Sequence, residues 1–156
     1  MKEKKIHSRL PQSTPESTHL PKTTVTAGPI KLPEPLKIFS ENPADPVTIV
    51  FGSDRLGEGA PDLGRELIKS FLLALDDLPK PPEAVILYNS AVKLALADSP
   101  VLGVFKSLQH KGTEILICQT SLHTYNFEGQ AAIGEIRTMN LLVERMMRAH
   151  HILWPK

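Results

Sequence analysis

Three short apolar runs, at residues 47–51, 84–88 and 114–118, constrain the fold of this chain more than any other feature. Each run is almost continuously β-branched or aliphatic, which is typical of a strand buried on both faces. A helical pattern separates the first two runs; its apolar members are Leu63, Leu67, Ile68, Phe71, Leu72 and Leu75. Strands that alternate with helices pair in parallel through right-handed crossovers. We therefore predict an α/β fold, a three-layer α/β/α sandwich with a mainly parallel sheet of about five strands.

The last part of the chain supplies the remaining predicted elements. Residues 131–134 are a short candidate fourth strand, and a helix is predicted over 139–149. The residues of this helix that we expect to face inward are Met139, Leu142, Val143 and Met146. Residues 151–154 are predicted to form either a fifth strand or a docked tail.

Residues 1–45 differ in composition from the rest of the chain. They contain seven of the 14 prolines, many serines and threonines, and Phe39 as their one aromatic residue. Such a segment buries too little apolar surface to offset the loss of chain entropy, and its prolines interrupt helices. We predict a disordered, proline-rich tail or linker at 1–45 and one α/β domain at 46–156.

Charge and cysteine content exclude several classes of function. A formal net charge of +1 gives no general argument for binding nucleic acid. No apolar run has the length of a membrane span or of a signal peptide. The single cysteine cannot form an internal disulfide or a cysteine-based metal site on its own. We predict a cytoplasmic protein without metal, cofactor, nucleic acid or membrane partners.

Cys118, the only cysteine, lies at the end of the third strand-like run. Ligands and reactive groups collect beyond the carboxyl ends of strands in open α/β sheets, so we expect this thiol to be open to solvent. A helix near residues 121–127 would direct amide dipoles toward the sulfur and favour the thiolate. A thiolate attacks sulfane sulfur and could therefore carry a persulfide. The alternative is a structural role, because free cysteine is often a buried small hydrophobe.

Two other features offer candidate chemistry. His123 follows Cys118 by five residues, and a thiolate–imidazole pair requires the two side chains within hydrogen-bond reach, which spacing does not establish. The glycine-rich stretch 52–59 follows the first strand and could present backbone amides to a phosphate. It matches neither the P-loop nor the dinucleotide fingerprint, so a tight strand-to-helix turn and small-ligand binding both stay open.

Several segments, taken in order, resemble one family. They are 47–57, Leu63-Gly64 with Phe71-Leu72, 86–94 (Ile-Leu-Tyr-Asn-Ser-Ala-Val-Lys-Leu), 99–102, 111–118, 132–136 and Met139. Together they resemble the DsrE-type domain, and in particular the YedF-type sulfurtransferase-like proteins of selenium metabolism. The resemblance covers about residues 47–148.

This resemblance implies a DsrE-like parallel fold, often oligomeric, that belongs to sulfur relay. It implies that Cys118 carries a persulfide between a sulfur donor and an acceptor protein, TusA-like or similar. Neighbours of the thiol at the carboxyl edge of the sheet would then be Asn89, Ser90, Ser121 and His123. A homo-oligomer is expected on the same ground.

The chain departs from the YedF pattern in two ways. Ser121 stands where those proteins usually have a second cysteine. Residues 1–45 hold no cysteine, so we expect the chain to lack the usual N-terminal TusA-like domain with its Cys-Pro motif. A disulfide cycle within the chain is therefore excluded. Two alternatives to sulfur relay stay open: a non-catalytic interaction module that has lost sulfur transfer, and small-ligand binding through the loop 52–59.

Overall fold

The computed structural model describes residues 46–156, so the predicted tail at 1–45 lies outside the described residues. Strands and helices alternate along the described chain. The strands are β1 (Val47–Phe51), β2 (Ala84–Leu87), β3 (Glu114–Cys118), β4 (Glu135–Arg137) and β5 (His151–Leu153). The α-helices are α1 (Pro61–Asp76), α2 (Leu102–His110), α3 (Gln119–Thr124) and α4 (Met139–Met147), and a 3₁₀ helix spans Asn89–Ala95.

The five strands form one sheet in the order β4-β3-β2-β1-β5. Every neighbouring pair is parallel. Helices cover both faces, which confirms the predicted three-layer α/β/α architecture with a parallel sheet. The strands β1 to β3 coincide with the apolar runs of the sequence because they are the three central strands, buried on both faces.

The larger layer of the core lies between the sheet and the helices α1, α2, α3 and the 3₁₀ helix. From the sheet it takes alternate residues, which are Ile49, Phe51, Val85, Leu87, Ile115 and Ile117. From the helices it takes, among others, Ile68, Leu72, Phe105, Leu108 and Leu122. The connections that carry the chain from β1 through β4 therefore run over this one face of the sheet.

The smaller layer lies on the opposite face, where α4 is the covering helix. Val50, Ile86, Leu116 and Cys118 from the sheet pack with Leu142 of α4. The connection from β4 to β5 returns across the whole sheet, and this return places α4 on the second face.

A cationic side chain of α4 joins that helix to the beginning of the strands. The Arg145 guanidinium donates to Glu114 Oε2 at 2.8 Å and lies 3.2 Å from Glu83 Oε1, with a longer contact of 3.4 Å to Thr48 Oγ1. Burial by itself would lower the pKa of Arg145, but its hydrogen bonds to Glu114 and Glu83 and the charges of these carboxylates outweigh burial and raise that pKa. The Arg145 side chain is therefore protonated and positively charged where α4 meets the sheet.

The fourth strand is displaced from its predicted position. Residues 131–134 were expected to form it, whereas Ala131 makes only an isolated bridge to Leu96 and β4 begins at Glu135. Gly134 has φ +73°, and a Cβ there would lie 2.8 Å from the Ile115 carbonyl oxygen. The chain therefore turns at Gly134, in close contact with β3, before the edge strand starts. The stretch 151–154, for which two outcomes were open, forms β5 over its first three residues.

The buried stripes of α1 and α4 are narrower than the sequence predicted. Leu63 and Leu67 of α1 are 57% and 44% exposed, although both belong to the apolar pattern that predicts this helix. Met139 and Val143 of α4 are also exposed, while Leu142 is fully buried. Apolar spacing identifies an amphipathic helix but does not tell which of two adjacent apolar rows contacts the sheet.

Candidate functional site

The loops that follow β1 and β2 are joined at the carboxyl edge of the sheet by a polar cluster. The Ser90 hydroxyl donates to Asp54 Oδ1 at 3.0 Å and accepts a hydrogen bond from the Asp54 backbone N–H at 3.2 Å. Lys93 Nζ lies 3.7 Å from the second carboxylate oxygen of Asp54. The carboxylate of Asp54 is therefore already shared between a hydroxyl and an ammonium group of this chain.

Asn89 extends this cluster to the segment after β3. Its φ of +51° is unusual for a residue with a side chain and is best tolerated by asparagine. Its backbone N–H donates to Ser121 Oγ at 2.7 Å, and its side-chain oxygen accepts from the Tyr125 hydroxyl at 3.0 Å. The Tyr125 ring is itself 5.2 Å from Lys93 Nζ, within cation–π range. Asn89, Ser90 and Ser121 thus lie together, and the bonds above join them to Asp54, Lys93 and Tyr125, which the sequence did not indicate.

Cys118 lies at the end of β3 as predicted, but its side chain is fully buried at 0% exposure. The expectation that this thiol is open to solvent is therefore wrong for the described domain. Ile115 and Ile117 point to the larger core layer, so strand alternation turns Leu116 and Cys118 toward the layer under α4. Leu122 of α3 packs on the larger layer instead. The thiol and the polar cluster therefore belong to opposite faces of the sheet.

His123 is well exposed and has a partner of its own. Its Nδ1 pairs with Glu128 Oε1, and its side chain is 79% exposed. A hydrogen bond from the backbone of Glu128 and the one with His123 lower the pKa of that carboxyl. Within residues 46–156 no hydrogen bond of the His123 side chain reaches Cys118 or the polar cluster. The sequence does not predict Glu128 as the partner of His123, because Glu128 lies beyond the end of α3 and no helical spacing rule applies to it.

Two clefts open near the carboxyl edge of the sheet. The larger one, about 900 Å³, lies between α1 and the segment around Ser99, over apolar residues that include Ile68 and Phe127. Each of its three cations has a carboxylate partner, in the pairs Arg65–Asp62, Lys69–Glu66 and Lys93–Asp54. The smaller cleft, about 550 Å³, lies between the ends of β1 and β5 and is lined by Arg55, Tyr88 and Trp154 among others.

Between residues 46 and 156, no group of three or more histidine, cysteine, aspartate or glutamate side chains is arranged to hold a metal ion. In the same part of the chain, no helix is both long and apolar enough to cross a membrane.

Comparison with known proteins identifies similar folds. No protein-family model matches the sequence, and no curated protein matches it. The structure of MTH1491, a protein of unknown function from Methanobacterium thermoautotrophicum, aligns with a TM-score of 0.53 at 17% identity, over 71% of this chain and 99% of that one. The structure of YchN from E. coli aligns with a TM-score of 0.49 at 16% identity, over 70% of this chain and 98% of that one. The structure of BT1422 from Bacteroides thetaiotaomicron, a protein of unknown function, aligns with a TM-score of 0.49 at 20% identity, over 74% of this chain and 98% of that one. At this level of identity, the alignment with MTH1491 shows that the two chains share an α/β fold.

Proposed function

We propose that this chain is a DsrE-like interaction module that has lost sulfur transfer and associates with a second copy of itself through α4. The observation that carries the proposal is an apolar stripe on the outer side of that helix. Met139, Val143 and Met147 follow one another at intervals of four residues and are 40%, 47% and 80% exposed. Residues at this spacing lie on one side of a helix, so the three side chains form a continuous row.

The same face of the sheet carries further exposed apolar surface. Ile152 of β5 is in register with Thr48, and the Thr48 hydroxyl contacts Arg145 of α4. Ile152 therefore lies on the face of the sheet that α4 covers, where it is 43% exposed. Apolar side chains that cluster on one face, unlike scattered ones, are typical of interaction sites. A straight apolar row is self-complementary about a two-fold axis, because each copy can lay its own row against that of its partner. A second copy of this chain is therefore the occupant that this surface fits.

Burial of Cys118 is the reason to prefer an interaction module over sulfur relay. Persulfide transfer needs the attacking thiol to reach the sulfur of another protein, and exchange rates depend on that access. The side chain of Cys118 is enclosed by apolar neighbours between the sheet and α4. Its burial suits the role of a small hydrophobe, which is common for a free cysteine.

The oligomeric state of the full chain tests the self-association. Light scattering coupled to gel filtration is expected to give a dimer at micromolar concentration, and Val143→Glu to give a monomer because the interface would then bury a charge. Glutamate is a good helix former, so α4 should persist in this variant. Leu73→Glu is the matched control: Leu73 is 56% exposed on α1, and its replacement should leave the dimer intact. A monomeric parent, or a dimer that survives Val143→Glu, would contradict the proposal.

The loss of sulfur transfer has a separate test in the reactivity of the thiol. Iodoacetamide should modify the native protein slowly and the denatured protein rapidly, because the Cys118 thiol is enclosed. Rapid modification of the native protein, together with uptake of one sulfur atom from a sulfane donor that Cys118→Ser abolishes, would favour sulfur relay instead.

A further inference from the structure

The smaller cleft lies where the topology of the sheet changes direction. β1 and β5 are neighbours, yet the connection that leaves β1 runs through α1 on one face and the connection that enters β5 runs through α4 on the other. The strand order therefore reverses between β1 and β5, because β2 to β4 lie on one side of β1 and β5 lies on the other. Open α/β sheets bind ligands beyond the carboxyl ends of their strands at such a point. Gly52 and Trp154 are the residues that immediately follow β1 and β5, and both line the cleft.

One wall of this cleft is aromatic and closely packed. The rings of Tyr88 and Trp154 meet edge to face, with centroids 6.1 Å apart and an interplanar angle of 88°. A Cβ on Gly52 would lie 2.6 Å from the Tyr88 hydroxyl oxygen, so the first loop and this ring are in close contact. Trp154 is 44% exposed and therefore keeps part of its surface free for another ring.

The polar groups of the cleft are mainly donors that lack an acceptor. Arg55 and Lys156 line it, and within residues 46–156 neither side chain pairs with a carboxylate. Glu58 is the one carboxylate side chain among the lining residues. In the larger cleft, by contrast, Arg65, Lys69 and Lys93 are all paired.

We propose that the cleft between the ends of β1 and β5 binds a small aromatic phosphate ester of mononucleotide size. The aromatic ring packs on Trp154, and the phosphate faces Arg55. A planar guanidinium suits a phosphate because it can donate two parallel hydrogen bonds. The volume of about 550 Å³ is within the usual range for small-ligand sites. The loop 52–59 lacks the Gly-Lys-Ser/Thr sequence that holds a magnesium triphosphate, so a monophosphate is the form that the site fits.

The single tryptophan of the chain makes the test direct, because all tryptophan emission comes from Trp154. Titration of the full chain with AMP is expected to change this emission saturably, and calorimetry should give the same dissociation constant. Adenosine supplies only the aromatic ring and inorganic phosphate only the charged group, so each should bind more weakly than AMP. No saturable signal by either method up to about 5 mM AMP would overturn the proposal.

Two arginine-to-alanine substitutions test which cleft binds AMP. Arg55→Ala is expected to weaken AMP binding ~10-fold or more, because it removes a hydrogen-bond donor to a charged group. Arg65→Ala is the matched control, since that guanidinium lines the larger cleft and is paired with Asp62, and it should leave the affinity unchanged. Equal weakening by both variants would overturn the assignment of the site. Adenosine binding as tightly as AMP would overturn the role of the phosphate, and phosphate binding as tightly as AMP would overturn that of the ring.

Discussion

Replacement of Arg145 by methionine tests whether the ionic contacts of one side chain hold α4 on the sheet. Methionine keeps the aliphatic volume of the arginine stem, so the variant removes mainly the charge and its hydrogen bonds. Arg145 is 17% exposed, and its two carboxylate partners, Glu83 and Glu114, are 47% and 44% exposed. A charge-assisted hydrogen bond contributes about 1.5–3 kcal/mol where it is well buried. Because both carboxylates reach water, we discount each contact to about 0.5–1 kcal/mol and expect a total loss of about 1–2 kcal/mol.

Thermal unfolding followed by circular dichroism measures this loss. A change of 1–2 kcal/mol in a domain of this size corresponds to a decrease in Tm of about 4–10 °C. Arg148→Met is the matched control on the same helix, since Glu144 is the one partner of Arg148 within residues 46–156 and Arg148 is 74% exposed. Its effect should be below about 0.5 kcal/mol. Equal losses in the two variants would refute the role assigned to Arg145.

The buried thiol supplies a second readout of the same substitution. Cys118 and Leu142 of α4 share one small cluster, so the thiol becomes accessible when α4 opens or the domain unfolds. A loss of 1–2 kcal/mol raises the population of open molecules about 5–30-fold. Iodoacetamide should therefore modify Cys118 faster in Arg145→Met by about that factor, and at an unchanged rate in Arg148→Met.

Three further substitutions have expected outcomes. Leu142→Ala should cost about 2–5 kcal/mol because it leaves a cavity, whereas Leu141→Ala, at an exposed position next to it, should cost little in the same unfolding assay. The hydrogen bond from Lys111 lowers the pKa of Asp76, so this carboxylate contributes stability above about pH 4 that is lost as the pH falls through its lowered value. Asp76→Asn should make acid denaturation curves less steep in that range. Asn89→Ala should cost about 1–2 kcal/mol, because alanine is strained at φ +51° and cannot accept a hydrogen bond there.

The sequence predicted the central sheet well because its strands carry a local signal. The runs at 47–51 and 114–118 are mainly β-branched and aliphatic, and each forms a strand that pairs in parallel, as expected. The edge strand β4 carries no such signal, since the sequence Glu135-Ile136-Arg137 is polar at two of its three positions. Its pairing with β3 depends on the turn at Gly134, which periodicity does not reveal.

The candidate site was less predictable for a different reason. In a strand apolar on both sides, such as 114–118, alternation does not reveal which face a given residue takes. The direction of the Cys118 side chain follows from α4 crossing behind the sheet, a consequence of strand order. The polar cluster is equally non-local, because Asp54 and Ser90 are 36 positions apart. Placement at the carboxyl edge could be predicted, but not which side chains satisfy one another there.

The shortness of the outermost strands limits how this protein can polymerise. β4 and β5, the strands at the two margins of the sheet within residues 46–156, are each only three residues long, and β4 places charged side chains at two of its positions. Fibres that grow by strand addition need long, flat, uncharged edge strands. Natural sheets avoid this growth by keeping their edge strands short or charged. The two-fold contact proposed for α4 closes on itself, so we expect high concentrations to give discrete assemblies and not amyloid.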